Sequence, residues 1–442
     1  MPPATDRRRD FAAEVVARLQ AAGFQALWAG GCVRDLLLGL TPTDYDVATN
    51  ATPEQVMGLF RRTVPVGVSF GVVKVLGPKQ AGEVEVATFR SDGAYIDGRR
   101  PEGVVFGSAE VDASRRDFTI NGMFLDPLTH QVIDYVNGRV DLQNRTLRAI
   151  GDAAARFQED KLRLLRAVRF AARFGMDIEP ATLSALVAMA DQVVVVAVER
   201  ITQELRKMLV DRHRARAFDL ALETGLLAKI LPPLARLKGI PGDGLGHPPP
   251  DLWEHTLLIL DHLPEEPSVP LAFAALLHHV GRGAAGVGLD RALGNQIVDK
   301  LGRSLRLSNP ERERTCWLVE HQRALVVPDT MRASQLKRLL ASTGIEELLA
   351  LHRAEALATT GDDGHVSYCE WYLREEPAGP INPPPLLSGH DLQQLGLKPG
   401  PRFKQLLDLA RDAQLDGMIA DRDEAVALVL RWIASGNAIA HD

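Results

Sequence analysis

The chain has 442 residues, of which 46% are hydrophobic and 24% charged, with a formal net charge of −6 at pH 7. These are the proportions of an ordinary soluble globular protein, and the length excludes a single core, pointing to roughly three domains. Three scattered cysteines, Cys32, Cys316 and Cys369, exclude a disulfide framework or a zinc cluster and fit a reducing, cytoplasmic setting. The N-terminal MPPATDRRRD has no apolar segment after its charges, so it does not read as a signal peptide. The apolar run at Val193–Val198 is far too short for a membrane span.

The first predicted element is a surface helix over residues 5–22, with Phe11, Val15, Val16 and Leu19 at helical spacing. An apolar run, Ala26–Ala29, leads into GGCVRDLLLGLTPTDYDVAT, residues 30–49. Gly30 and Gly31 open a predicted helix, Val33–Leu38, where backbone N–H groups can approach a phosphate. Asp44 and Asp46 sit two apart, so a strand would present both carboxylates on one face, where divalent metal is the usual counter-charge. Glycine pair, Arg34 and carboxylate pair together describe a triphosphate site with bound magnesium.

Thr52 and Pro53 read as N-cap and first turn of a helix running to about Phe60. Strands are predicted at Thr63–Val66, Gly71–Leu76 and Glu83–Thr88. In the last, alternation sets Glu83 and Glu85 opposite Val84 and Val86, making Glu85 a candidate third carboxylate for the metal site. Ser91–Val105 reads as a Gly- and charge-rich loop. Arg115 and Arg116 follow, as a charge clamp for phosphate or as structural partners of Asp117. Residues 134–142 form a turn and short helix closing the first domain.

From Phe157 the pattern is helical, with an apolar stripe of Leu162, Leu165, Val168 and Phe170. Asp160, Arg163, Arg166 and Arg169 recur every three residues and share a drifting face of one expected helix. Residues 156–216 hold twelve Lys/Arg against eight Asp/Glu, a basic patch suited to phosphate in a chain otherwise acidic. Helices continue through 181–190, 199–210 and 214–235. A linker, Leu237–Pro250, precedes a further helical region rich in histidine, and a proline-rich linker, Glu375–Pro385, precedes a helical tail.

The motifs GGCVRDLLLG with DYD, RRDFTIN, DYVNGRVDL, EDKLRLLRAVRFAARF and ERITQEL, in this order, resemble the tRNA nucleotidyltransferase and poly(A) polymerase family. The resemblance implies an α+β fold: a polymerase-beta-like head with a small sheet (residues 1–150), then all-helical neck (151–236), body (251–374) and tail (386–442). It implies two Mg2+ ions on Asp44 and Asp46, with Glu85 as a third catalytic carboxylate. Gly30, Gly31, Arg34 and Arg116 would contact the triphosphate, and Arg166 and Arg169 the nucleotide or RNA end. Glu159, Asp160 and Arg163 would select the base.

Cytosine and adenine present an amine donor beside a ring-nitrogen acceptor, and uracil and guanine the reverse. An Asp acceptor beside an Arg donor therefore admits C and A, because a mispaired edge leaves buried polar groups unmet. The implied reaction is transfer of C and A from CTP and ATP to the tRNA 3′ end, with no membrane and no protein partner implied. The full-length Asp92–Pro101 loop disfavours a CC-only enzyme, and the absence of a basic pair before Phe70 disfavours a poly(A) polymerase. Full CCA addition and terminal A addition both remain open.

The histidine-rich region resembles an HD phosphohydrolase, with Trp253-Glu254-His255 and Leu277-His278-His279, but His279 stands where the defining Asp belongs. No histidine occurs between Gly283 and Glu320. A hydrolytic metal centre on His255, His278 and His321 is the rival enzyme reading, and a structural body that helps hold tRNA the expected one.

Overall fold

The computed structural model describes residues 6–67, 70–92, 104–242, 251–285, 291–377 and 379–435. The chain forms two compact units, residues 1–235 with 304–306, and residues 236–303 with 307–442.

The first unit begins with α1 (Arg7–Ala21), capped by the Asp6 carboxylate, which accepts from the Arg8 and Arg9 amides. Strand β1 (Ala26–Ala29) is buried along its length and leads to α2 (Gly31–Leu37). Next come β2 (Asp46–Thr49), α3 (Pro53–Leu59), β3 (Thr63–Gly67), β4 (Val72–Leu76) and β5 (Glu83–Thr88). The α3 start is a capping box: Thr52 and Gln55 satisfy one another's amides, with Pro53 at the first position. The small hairpin β6 (Arg90–Asp92) and β7 (Val104–Phe106) flanks residues 93–103. The loop residues Tyr95, Asp97, Arg99 and Arg100 lie outside the described residues, as do Val68 and Ser69.

After α4 (Ala109–Ser114) come β8 (Met123–Leu125), β9 (Val132–Asp134) and α5 (Gly138–Gln143). Seven strands form one mixed sheet in the order β3-β4-β5-β2-β1-β8-β9, with β2 and β5 parallel and the other neighbours antiparallel. Leu27, Ala29, Ala48, Phe89 and Phe124 pack on one face of it with Ala109 and Ala113 of α4. Val84 and Val86 are buried while Glu83 and Glu85 are exposed, as the alternation predicts.

The helical remainder of this unit comprises α6 (Ala153–Glu159), α7 (Leu162–Phe174), α8 (Pro180–Met189), α9 (Val198–Leu209), α10 (Arg214–Glu223), α11 (Leu226–Ile230) and α12 (Pro232–Ala235). Two expected continuous helices are broken. The 157–174 stretch divides at Asp160 and Lys161, because Asp160 has extended backbone angles and its side chain accepts from the Leu162 amide, starting a new helix. The 214–235 stretch divides at Gly225, which adopts φ +80°, and again before Pro232.

The second unit is helical throughout: α13 (Leu252–His262), α14 (Val269–Leu277), α15 (Val280–Ala285), α16 (Arg291–Ser304), α17 (Asn309–Glu320), α18 (Ala333–Leu340), α19 (Ile345–Thr359), α20 (Gly364–Glu375), α21 (Gly389–Gln394), α22 (Pro401–Leu415) and α23 (Arg422–Ala434). Its C-terminal end has its own apolar core, with Leu392, Leu406, Ala410, Ala425 and Val429 buried together. No helix among the described residues is long and apolar enough to cross a membrane.

The DYVNGRVDL stretch shows its structural purpose here. Asp134 accepts from the amides of Val136, Gly138 and Arg139, closing the turn into α5. Asp141 accepts from the Thr119 hydroxyl at 2.7 Å. A Cβ on Gly138 would lie 2.3 Å from the Thr119 carbonyl oxygen, a backbone atom that cannot swing aside. Gly138→Ala is therefore expected to destabilise the protein by roughly 2–3 kcal/mol, read as a fall in chemical-denaturation midpoint. An unchanged midpoint would contradict this packing.

Candidate active site

A cleft of about 570 Å³ in the first unit is lined by Gly30, Gly31, Arg34, Asp44, Asp46, Arg116, Asp160, Arg163, Arg166 and Arg169, together with Arg115, Asp117, Asn121, Arg173, Arg200 and Lys207. It gathers ten of the residues named from sequence. Glu85 and Glu159 are not among its lining residues.

One wall is built by β2 and the start of α2. Gly30 is the N-cap of α2 at φ +73°, and its amide donates to the Met123 carbonyl. A Cβ there would meet the Arg116 guanidinium at 2.7 Å, so glycine serves both the left-handed turn and the space for Arg116. Strand β2 begins at Asp46, so Asp44 lies in the segment just before the strand rather than within it. The alternation nevertheless holds: the Tyr45 ring between them is buried against Trp28 at 4.8 Å, pointing away from both carboxylates.

Asp46 is accessible to water within the cleft yet crowded by protein. Its carboxyl is pushed up to about 6, first by removal from bulk water, then by the charges of Asp44 and Glu85, with Arg116 opposing. The β2–β5 register, Val47 against Val86, carries Glu85 to Asp46 across the parallel pair. Glu85 lies 3.4 Å from Lys74 on the neighbouring strand. Three carboxylates gathered against Arg116, with Lys74 shared between Glu83 and Glu85, leave uncompensated negative charge, which is the electrostatic condition a hard divalent cation satisfies. Burial, then Asp46, pushes the adjacent Cys32 thiol up to about 12, which excludes it as a thiolate nucleophile.

The opposite wall is a row of arginines, each held by an acid. Asp112, buried in α4, accepts from Arg115 at 2.7 Å and from Arg116 at 2.9 Å. Asp117 is not their partner, contrary to the pairing considered from sequence. It accepts instead from Arg166 at 2.5 Å and from the Asn121 amide at 3.0 Å. Against the cost of burial, these two hold the Asp117 carboxyl well below the usual carboxylate range. Arg34 donates to Asn121 Oδ1 at 2.6 Å and its guanidinium lies 4.4 Å from the centre of the Phe174 ring.

The break between α6 and α7 is organised the same way. Arg200 of α9 grips Asp160 with both terminal nitrogens, at 3.1 and 2.7 Å. One turn later on α9, Glu204 accepts from Arg169 at 2.6 Å, both side chains being buried. Arg163 donates to Glu159 Oε2 at 2.5 Å and to the Arg115 carbonyl at 3.2 Å. Glu159 also accepts from Arg156 at 2.9 Å, so it orients Arg163 from outside the cleft lining. Sequence reasoning missed Asp112, Asn121 and Arg200 as builders of the site. The available signals were Asp112 three and four residues before the arginine pair, and Arg200 and Glu204 one helical turn apart.

The second unit gathers histidines differently from the expected rival. His321 donates from Nδ1 to the Trp317 carbonyl, 2.8 Å away, and stacks on the Trp317 ring. His255 and His278 are instead grouped with His279 and Glu355.

Residues 26–148 match the family model for the Poly A polymerase head domain, and residues 175–238 that for the probable RNA and SrmB-binding site of polymerase A. The CCA-adding enzyme of Geobacillus stearothermophilus is 44% identical over 222 residues, 50% of this chain and 54% of that protein. That of Oceanobacillus iheyensis is 42% identical over 49% of this chain and 53% of that protein. The match thus spans about half the length of these relatives. Among solved structures, the Bacillus stearothermophilus CCA-adding enzyme in complex with CTP superposes with a TM-score of 0.76 at 29% identity, covering 99% of each chain. The Thermotoga maritima CCA-adding enzyme complexed with tRNA shares the fold, with a TM-score of 0.58 at 19% identity over 96% of this chain and 95% of that one. The fold is α+β, with a polymerase-beta-like head and a helical remainder, and residues 26–148 and 175–238 are similar to the head and RNA-binding domains of the polymerase A family.

Proposed function

We propose that the chain is a template-independent RNA nucleotidyltransferase that adds C and A residues from CTP and ATP to the 3′ end of tRNA. The observation that carries this reading is a single cleft lined by both the carboxylates Asp44 and Asp46 and the base-reading pair Asp160 and Arg163. The relatives that resemble the chain are CCA-adding enzymes, which supports CCA addition as the specific activity. Three free thiols among the described residues suit a cytoplasmic setting.

Asp44 and Asp46, with Glu85 beside them, would hold the two Mg2+ ions. When bound, these ions neutralise triphosphate charge and lower the pKa of the attacking 3′-hydroxyl. The rest is positioning. The left-handed turn at Gly30, whose own amide is held by Met123, lets the backbone N–H groups from Gly31 onward approach the phosphates, and Arg116 and Arg34 add fixed positive charge. The 3′-hydroxyl attacks the α-phosphorus, the α–β phosphoanhydride bond breaks, and pyrophosphate leaves with the electron pair.

The base then meets Asp160 and Arg163. The Asp160 carboxylate accepts from the exocyclic amine of C or A, while Arg163 donates to the ring nitrogen. Uracil or guanine would set acceptor against acceptor and donor against donor, at a cost of roughly 1–3 kcal/mol per unmet buried group. Arg200 and Glu159 are positioning residues, because each fixes the group that reads the base and neither is needed for charge at the phosphates. Arg166 and Arg169 line the same cleft and would serve the nucleotide or the RNA end. By this reading residues 1–150 form the head, 151–236 the neck, 251–374 the body and 386–442 the tail, the last two helping to hold tRNA.

Asp44→Ala should abolish incorporation of labelled CTP and ATP into tRNA lacking CCA while leaving the circular dichroism spectrum unchanged; full activity would sink the assignment. Arg163→Ala and Arg200→Ala should lower the kcat/KM ratio of CTP to UTP by about tenfold or more, Arg200→Lys restoring part of it. An unchanged ratio would refute base reading by this pair.

Asp46 gives a pH prediction. Its folded-state carboxyl is raised from 3.8 to about 6, so the folded metal-free protein holds the proton more tightly than the unfolded chain does. That contribution to stability is present at low pH and is lost as pH rises through about 6. Above that range Mg2+ should raise the thermal midpoint of the wild type, and Asp46→Asn should remove most of the shift. A magnesium effect of equal size in the variant would contradict the site.

A further inference from the structure

The second unit contains a polar cluster that the proposed transfer reaction does not use. His255 lies on α13, His278 and His279 on the turn after α14, and Glu355 on α19. One ligand atom from each of the four lies within 4.8 Å of all the others. His278 and His279 are only 3% and 5% exposed. The family matches end at residue 238, before this region.

The hydrogen-bond partners settle which ring nitrogens carry lone pairs. The Thr359 hydroxyl donates to the Glu355 carbonyl at 2.7 Å, so it accepts from His255 Nε2 at 3.1 Å. His255 therefore turns a bare Nδ1 toward the cluster. His278 donates from Nδ1 to the Ala275 carbonyl at 2.6 Å, which leaves its Nε2 bare. That Nε2 is 3.4 Å from a Glu355 carboxylate oxygen, close enough for ionic contact yet without a hydrogen bond. Two lone pairs thus face one another, an arrangement that either a proton on Glu355 or a shared metal cation reconciles. His279 Nε2 lies 2.9 Å from His255 Nδ1, and its other ring nitrogen is enclosed with no partner.

We propose that His255, His278, His279 and Glu355 form a site for one borderline-soft divalent transition-metal ion, of the Zn2+, Co2+ or Ni2+ kind, which ties α13, α14 and α19 together. Ligand atoms around a four-coordinate ion at about 2.1 Å stand about 3.4 Å apart. The observed separations of 2.9 Å and 3.4 Å are close to that spacing. Three imidazoles and one carboxylate favour these ions over magnesium, which prefers oxygen ligands. The N–H groups of His255 and His278 are each held by an outer oxygen, the arrangement that orients histidine ligands. Taking the ion moves the His279 proton from Nε2 to Nδ1, so that His279 stays neutral and both facing nitrogens become donors to the metal.

Arg282 and Arg323 bring positive charge to the cluster, and Glu355 is the carboxylate that offsets it. The grouping differs from the expected rival, because His279 and Glu355 take part and His321 does not.

The test uses full-length protein carrying Asp44→Ala and Asp46→Ala, so that the carboxylates of the first unit contribute nothing. After chelation and dialysis, Co2+ is titrated while visible ligand-field absorption and thermal midpoint are followed. One equivalent should give saturating bands and raise the midpoint. His278→Gln and Glu355→Gln should each weaken Co2+ binding by about 10- to 100-fold while retaining the helical circular dichroism signal. Absence of bands and of any midpoint shift in the parent would overturn the proposal, as would binding unchanged in both variants. The outcome is independent of nucleotidyl transfer, so failure of one reading leaves the other standing.

Discussion

The cleft depends on one constraint: an arginine can be fixed at a solvent-open site only if a carboxylate behind it takes up its other donors. Asp112 holds Arg115 and Arg116, Asp117 holds Arg166, Glu204 holds Arg169, and Glu159 holds Arg163. The acids come from α4, from the segment before β8, from α9 and from α6, so the pairs also tie the head sheet to the helices that follow it. Removing one member of a buried pair typically costs roughly 3–5 kcal/mol, because the survivor keeps its desolvation penalty. The arginine wall and the connection between head and neck therefore stand on the same interactions.

Opposite that wall the logic is reversed. Asp44, Asp46 and Glu85 are gathered with too little positive charge near them, and the Asp46 carboxyl is raised first by burial and then by its two acidic neighbours. The first wall is electrostatically complete and the second is not, which divides the labour between them. The complete wall orients what it binds, through groups that are already committed in direction. The incomplete wall has the charge balance that a divalent cation would complete. Asp160 stands at their junction, in a helix break where Arg200 fixes its carboxylate.

Much of this was legible in the sequence. Alternation identified β5 and the exposure of Glu85, and Thr52 with Pro53 identified the start of α3. Local chemistry decides such features, because burial pattern and capping act within a few residues. Ordered motifs pointed to the residues of the cleft. What escaped were the partners across long separations. Asp117 to Arg166 spans 49 residues and Asp160 to Arg200 spans 40, and neither spacing has a helical or strand period. The break at Asp160 was missed because the apolar stripe runs on through it, while the competing side-chain bond to the Leu162 amide leaves no trace in periodicity. The grouping of the histidines escaped for a related reason: Glu355, which stands with His255, His278 and His279, is supplied by a helix 76 residues beyond His279.

The central claim is that catalytic carboxylates and base choice are physically separate. Nucleotide binding by the Asp44→Asn, Asp46→Asn protein tests it most directly, with calorimetric titration of CTP, ATP, UTP and GTP. Weaker binding overall, with the preference for C and A over U and G preserved, is the predicted result. A preference lost together with the carboxylates would contradict the account.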